Sequence, residues 1–462
     1  MENMLRARSD APTQQNTAPL TEVIVATCDW ARSVDLPDHV VRIAQHCLLD
    51  WAAVTVGGLR DPLSAIITET ACEDSEGGPC TLVGQRGKAT QLQAALVNGT
   101  ISHALDYDDV NSRMHGHPTV AVAPAVLAVA EAGGHSGKDL IRAFVGGYQV
   151  AGQLGAAMGE LHYRRGFHAT GTIGAVAAAA GCAILMGLDS EQTRNALALA
   201  ATQSAGLKAN FGTMAKPLHA GKAAQNGVLA ARLAQKGFTA RDGIFERDQG
   251  FGPTMSDDFS PELAAASPDW EIENNLFKYH AACYLTHSSI EALRQLQAKT
   301  PVDPANVTAV RLHVPEGHTK VCDVRVPKTG LDVKFSIRHL AALALNGANT
   351  ASLDLYSDTT AQNPDLGTLR RKVELVHDAV ARPRYEVDVV VETSDGQTLT
   401  SAYDVGTPAS DLDMQENALR LKAASLVDPV LGDGAASKLF AAVDALPSAP
   451  SVADYLAATT PA

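Results

Sequence analysis

The chain has 462 residues, 46% of them apolar and only 5% aromatic, and carries a formal charge of −14 at pH 7. That charge argues against nucleic acid and anionic membranes as partners, so any anion must be met by a local cationic pocket. Seven cysteines, an odd number with no CxxC pair, speak against a disulfide framework, a zinc ribbon and an iron–sulfur site. They fit a reducing, cytoplasmic compartment.

Residues 1–19 hold no apolar run long enough for a signal peptide and read as a flexible tail. No stretch along the chain approaches the length of uninterrupted apolar sequence that a membrane span needs. From 20 to about 247 the pattern is helix after helix, as the alanine-rich composition predicts. HVVRIAQHCLLDWAAVTVGG (39–58) has apolar residues at helical spacing and stops on a glycine pair. ISHALDYDDVNSRMHGHP (101–118) reads as a helix up to Asp109 followed by a loop, with Pro118 opening the next helix. Ser136 with Asp139, and Asp189 with Gln192, are spaced as helix caps. TVAVAPAVLAVAEA and GTIGAVAAAAGCAILMG are apolar almost all round and so belong in the interior. Residues 267–407 change character. NVTAVRLHVP alternates like a half-buried strand, and RYEVDVVVETSDGQTLTSAYDV reads as a hairpin turning at Ser394-Asp395-Gly396. Residues 408–462 are helical again. The expected fold is mainly α: a large all-helical domain (20–266, rejoined by 408–462) interrupted by a smaller α+β lid domain (267–407).

The chemistry is concentrated in four segments. Within 101–118, a helix would put His103, Asp106 and Tyr107 on one face, with Asp108 and Asp109 at an unfavourable C-terminal end compensated by Arg113, His115 and His117. A carboxylate orienting an imidazole acid/base is one reading, and a structural ion pair at a solvated helix end is the other. Asp and His could also hold a metal, but Gly116 and Pro118 flank His117 and no HExxH motif occurs, so no metal is expected. RRGFHATGTIGA (164–175) sets Arg165 and His168 before a helix N-terminus, where free N–H groups favour an anion. The plainer reading is a capping loop with surface arginines. Residues 201–236 contribute Lys208, Lys216, His219 and Lys222. A phosphate loop fails because Lys216 stands where its first glycine is needed, and no GxSxG elbow occurs. Lys216, just before Pro217, is expected in an extended or turn conformation aimed into a cleft, whereas Lys222 and Lys236 read as a solvated face. Lys278, His280, Cys283 and His287 lie just inside the second domain, and clefts between domains are where ligands usually sit.

Together NGTISHALDYDD, HGHPTVAVAPAVLA, GFHATGTIGA, MAKPLHAGKAAQNG and KYHAACYLTHSSIEA resemble the MmgE/PrpD family of 2-methylcitrate dehydratases, cis-aconitate decarboxylases and iminodisuccinate epimerases. The resemblance implies a homodimer that works without a cofactor on a small di- or tricarboxylic acid. The decarboxylase branch's active-site positions fall on Asp106, His117, His168, Lys216 and Lys278. Arg165, Lys208, His287 and His339 are the expected substrate contacts. The chain departs from that branch where Cys283 replaces a histidine and His339 a tyrosine, and in a longer interval from Asp106 to His117. The expectation is a cofactor-independent, metal-free lyase. Its alternatives are an epimerase of a small dicarboxylate, a non-catalytic carboxylate binder and a metal-dependent hydrolase.

Overall fold

The protein is described from a computed structural model covering residues 19–265, 270–378, 380 and 382–461. Residues 1–18 of the expected tail, and the expected boundary at 266–267, lie outside the described residues.

The first core is built from α1 (Leu20–Ser33), α2 (Asp38–Gly58), α3 (Leu63–Cys72) and α4 (Gln91–Ser102). Between α3 and α4, β1 (Cys80–Thr81) pairs antiparallel with β2 (Lys88–Ala89). The core continues through α5 (Thr119–Gly133), α6 (Gly137–Arg164), α7 (Ala169–Leu185), α8 (Ser190–Thr202) and α9 (Ala215–Gln235). Local chemistry sets many of the ends. Thr90 and Gln93 cap α4 reciprocally, Asp189 and Gln192 do the same for α8, and Ser136 accepts from the Asp139 N–H at the start of α6. Gly134, at φ +67°, closes α5.

Every residue of α7 is buried, and the helix packs on α5, α6 and α9. Its alanines and glycines allow those close approaches. Likewise α9 lies so near α4 that a Cβ added to Gly221 would sit 2.1 Å from Thr100 Oγ1. Only glycine permits that approach, and it draws the start of α9 towards the chain leaving α4.

The second core surrounds a four-stranded sheet of order β6-β5-β7-β8, made of β5 (Val307–His313), β6 (Val373–Val376), β7 (Glu386–Thr393) and β8 (Thr398–Asp404). β5 runs parallel to β6 and antiparallel to β7, and β7–β8 is the expected hairpin. Val310, Leu312, Val387, Val389 and Val391 alternate into this core beneath the helices His287–Lys299 and Ile337–Leu345. The C-terminal helices Leu412–Leu431 and Ala435–Ala445 return to the first core through Leu419, Leu426, Leu439 and Val443.

Two local expectations are corrected. The segment after α4 is not helical to Asp109: helix ends at Ser102 and the chain turns, with Asp106 at φ +49°, a left-handed conformation that Asp tolerates better than most residues. The turn leads into β3 (Val110–Asn111), which pairs antiparallel with β4 (Asn275–Leu276). A long-range strand pair therefore overrides a helix-compatible spacing. Lys216 is also not extended. It sits in the first turn of α9, where the missing N–H of Pro217 costs no hydrogen bond.

Candidate functional site

The β3–β4 pair is what assembles the site, because it sets the Asp106 turn beside the residues that follow β4. Lys278 Nζ lies 2.6 Å from the Asp106 carbonyl oxygen and 3.1 Å from its Oδ1. Lys216, from the start of α9, donates to the same Oδ1 at 2.7 Å. Two ammonium groups thus converge on one carboxylate oxygen at the foot of the cleft. Burial opposes ionisation of Asp106, but Lys278 and Lys216, with His117 and His103 behind them, hold its carboxyl well below the usual range. Burial likewise disfavours the Lys278 ammonium, and Asp106 and Asp108 outweigh it, raising the lysine's pKa.

Asp108 organises the imidazoles. It is buried, with Oδ1 2.9 Å from His103 Nδ1 and Oδ2 2.8 Å from His117 Nδ1. Burial again works against its charge, and the two rings more than offset that, keeping the carboxyl well below its ordinary value. His117 Nδ1 also lies 2.9 Å from the Asp109 carbonyl oxygen. A carbonyl oxygen can only accept, so the hydrogen-bond network assigns Nδ1 the proton, with the Asp108 carboxylate as a close counter-charge. Nε2 is then the exchanging atom, and it stands 3.7 Å from Asp106 Oδ1. Of the acids on this segment, Asp108 is the one that lies between the two imidazoles, while Asp106 faces His117 from its Nε2 side.

His168 caps α7 and shares a 3.0 Å Nδ1–Nδ1 hydrogen bond with His219. Burial, followed by the neighbouring His103, His117 and Lys216, pushes it well below its ordinary pKa. His103 is buried and pushed down to about 4. Asp109 has a different fate from Asp108. Burial drives its carboxyl up to about 8, and it accepts from Thr119 Oγ1 at 2.6 Å.

These groups open on a cavity of about 560 Å³ whose wall includes Asp106, His117, His168, Lys208, Lys216 and Lys278. Of the nine residues proposed from sequence, these six are brought together. Three are not. Arg165 pairs with Asp257 at 2.9 Å and is not among the residues that line the cavity. His287 is fully buried against His280, with Nε2 3.2 Å from the Ala282 carbonyl oxygen. His339 is buried in the second core, its Nε2 3.1 Å from the Thr360 carbonyl oxygen. Tyr163, Phe211, Arg384 and Tyr385 line the cavity without having been singled out. Tyr163 and Phe211 flank segments already noted for their charges, whereas Arg384 and Tyr385 come from the second unit and reach the cavity only through packing.

His103, Asp106, Asp108 and His117 also offer ligand atoms within 4.8 Å of one another, the spacing of a metal site. The donor set fits a cation poorly. Asp106 Oδ1 is already held by two ammonium groups, and both Nδ1 atoms face the Asp108 carboxylate. A divalent ion would have to displace or repel them.

Comparison with known proteins gives the same outline. The MmgE/PrpD N-terminal domain matches residues 24–264, and the MmgE/PrpD C-terminal domain matches residues 280–446. The chain is 28% identical over 452 residues to the cis-aconitate decarboxylase-like protein oryM of Aspergillus oryzae, covering 90% of this chain and 93% of that one. It is 27% identical over 432 residues to the cis-aconitate decarboxylase of Homo sapiens, covering 86% of each. With the mitochondrial 2-methylcitrate dehydratase of Yarrowia lipolytica it shares 26% identity over 408 residues, 80% of this chain and 75% of that protein.

Proposed function

The chain belongs to the MmgE/PrpD family, and from that premise we propose that it is a lyase acting on a small polycarboxylate with its own side chains, most simply by decarboxylating a cis-aconitate-like tricarboxylate. The observation that carries this reading is the convergence of Lys216 and Lys278 on one carboxylate oxygen, 3.7 Å from an imidazole whose far nitrogen is tied to Asp108. Asp106 marks where a carboxylate is welcome, and a substrate carboxylate would share those ammonium groups.

The chemistry follows from that placement. Cations fixed in advance stabilise negative charge as it develops, without reorganising. When the C–C bond to the departing carboxylate breaks, its electron pair spreads over the adjoining double bond and the remaining carboxylate. Carbon dioxide leaves, and His117, entering the step as the imidazolium, gives its Nε2 proton to the carbanion, is left neutral with Nδ1–H, and is reprotonated from solvent. His168, kept neutral, is the second imidazole on the wall and orients the substrate by hydrogen bonding. The same groups would serve dehydration if a β-hydroxyl left instead. The alignments with cis-aconitate decarboxylases across most of the chain favour loss of carbon dioxide.

The test is incubation with cis-aconitate, methylcitrate, citrate and iminodisuccinate in heavy water, followed by mass spectrometry. Loss of carbon dioxide with gain of one deuteron is the expected result. Loss of water would assign a dehydratase. Deuterium exchange without mass loss would assign an epimerase, and no change with any of them would remove the lyase reading.

A further inference from the structure

The cavity that holds Lys216 and Lys278 is also lined by two further cations, Lys208 and Arg384. Lys208 Nζ is pinned 3.0 Å from the Tyr163 carbonyl oxygen and 3.4 Å from the centre of the Tyr163 ring. Arg384 comes from the other core, in the turn before β7, with its guanidinium 5.4 Å from the Tyr385 ring centre. That turn is anchored rather than loose. The Arg384 carbonyl oxygen lies 3.0 Å from Nε2 of buried His318, and the Tyr385 carbonyl accepts from Ser288 Oγ.

Neighbouring cations are already paired: Arg164 with Glu160 at 2.9 Å, and Arg165 with Asp257 at 2.9 Å. Glu160 also lines the cavity, but Arg164 takes its carboxylate. Among the described residues, no carboxylate pairs with Lys208 or Arg384. What distinguishes these two cations is their place: both line the cavity, and neither is neutralised there by a carboxylate of the described residues. Fixed, unmatched cations in a concave site are complementary to an anion supplied from outside.

We propose that Arg384, assisted by Lys208, forms a second carboxylate subsite that makes the cavity prefer tricarboxylates over dicarboxylates. This deepens the lyase reading and rests on it for the identity of the substrate. Lys216 and Lys278 hold the reacting end, and Arg384 reaches across from the second core to the far carboxylate. Planar guanidinium binds a carboxylate through two parallel N–H donors, so arginine there also fixes the substrate's orientation.

Calorimetric titration with two unreactive probes tests the subsite independently of turnover: tricarballylate, with three carboxylates, and glutarate, with two. The wild-type protein should bind tricarballylate roughly tenfold or more tightly than glutarate, the scale of one charge-assisted hydrogen-bonded pair. R384Q should erase that preference while leaving glutarate affinity within about twofold, and R384K should retain part of it. The proposal is overturned if R384Q keeps the wild-type ratio, if it weakens both probes equally while folded, or if the wild-type protein binds neither or does not discriminate. A preserved preference in a protein that turns over none of the four candidate substrates would remove the lyase reading and leave the subsite standing.

Discussion

At the scale of single residues, three consecutive carboxyl-bearing positions are driven in different directions by what they touch. Asp106 is ionised by two lysines, Asp108 by two imidazoles, and Asp109 has, among the described residues, no cation beside it, only the Thr119 hydroxyl, the Cys47 thiol and a dry surrounding. Asp108→Asn should lower kcat by about 10²-fold with little change in KM, because the two imidazoles lose the negative charge that stabilises their protonated form. Steady-state kinetics check this, and a mainly raised KM would instead mark Asp108 as a binding group. Asp109 makes a stability prediction. Its folded pKa of about 8 lies above the unfolded value of about 3.9, so the native state binds the extra proton between those limits. Its contribution to stability is therefore complete at low pH and lost as pH rises towards about 8. Between about pH 5.5 and about pH 7.5, wild type should lose roughly 2–3 kcal/mol relative to Asp109→Asn in urea unfolding. Parallel pH dependences for the two proteins would contradict the assignment. The sequence displayed all three acids but not their partners. Spacing pointed to Asp106 as the carboxylate beside an imidazole, and only the turn at φ +49° shows Asp108 lying between two of them.

At the scale of elements, the C-terminal helix Leu412–Leu431 acts directly on the site. Lys422 is fully buried, 2.5 Å from Asp50 Oδ1 on α2 and 2.7 Å from the carbonyl oxygen of Tyr107, between the two acids that bind the lysines and the imidazoles. Lys422→Met leaves Asp50 buried without its partner and should cost about 3–5 kcal/mol. Asp50→Asn with Lys422→Met should recover most of that stability, yet both variants lose the bond to Tyr107 and should turn over about tenfold more slowly. A double variant with wild-type kcat would show that the pair serves stability alone. The helices themselves were legible because period, caps and glycine stops agree along 20–247. The end of α4 was not, since its spacing is helix-compatible and the competing β3–β4 pair joins segments far apart in sequence. Pro217 misled for a simpler reason: the rule for a residue before proline weakens in a helix's first turn, where no N–H partner is required.

At the scale of the whole molecule, two hydrophobic cores share one cavity, and the residues that line it come from both. The expectation of an α+β unit within a helical chain came from alternating valines in 306–315 and 384–405, the strongest period-two signal in the sequence. What composition could not reveal is which surfaces of the two units face each other, so Arg384 and Tyr385 went unnoticed while Arg165, His287 and His339 were given roles that nearer partners forestall. The charge balance of the assembled site bears on metal chemistry. With two ammonium groups on Asp106, exhaustive chelation should leave turnover within about twofold of the untreated protein. Loss of activity restored by a divalent cation would overturn the side-chain mechanism. The most direct measurement of all is the steady-state rate of His117→Gln, a variant that keeps the ring's approximate volume but cannot transfer a proton at Nε2. The account predicts a fall in kcat of about 10²–10⁴-fold with KM changed by no more than a few fold. A kcat near that of the wild-type protein would contradict it.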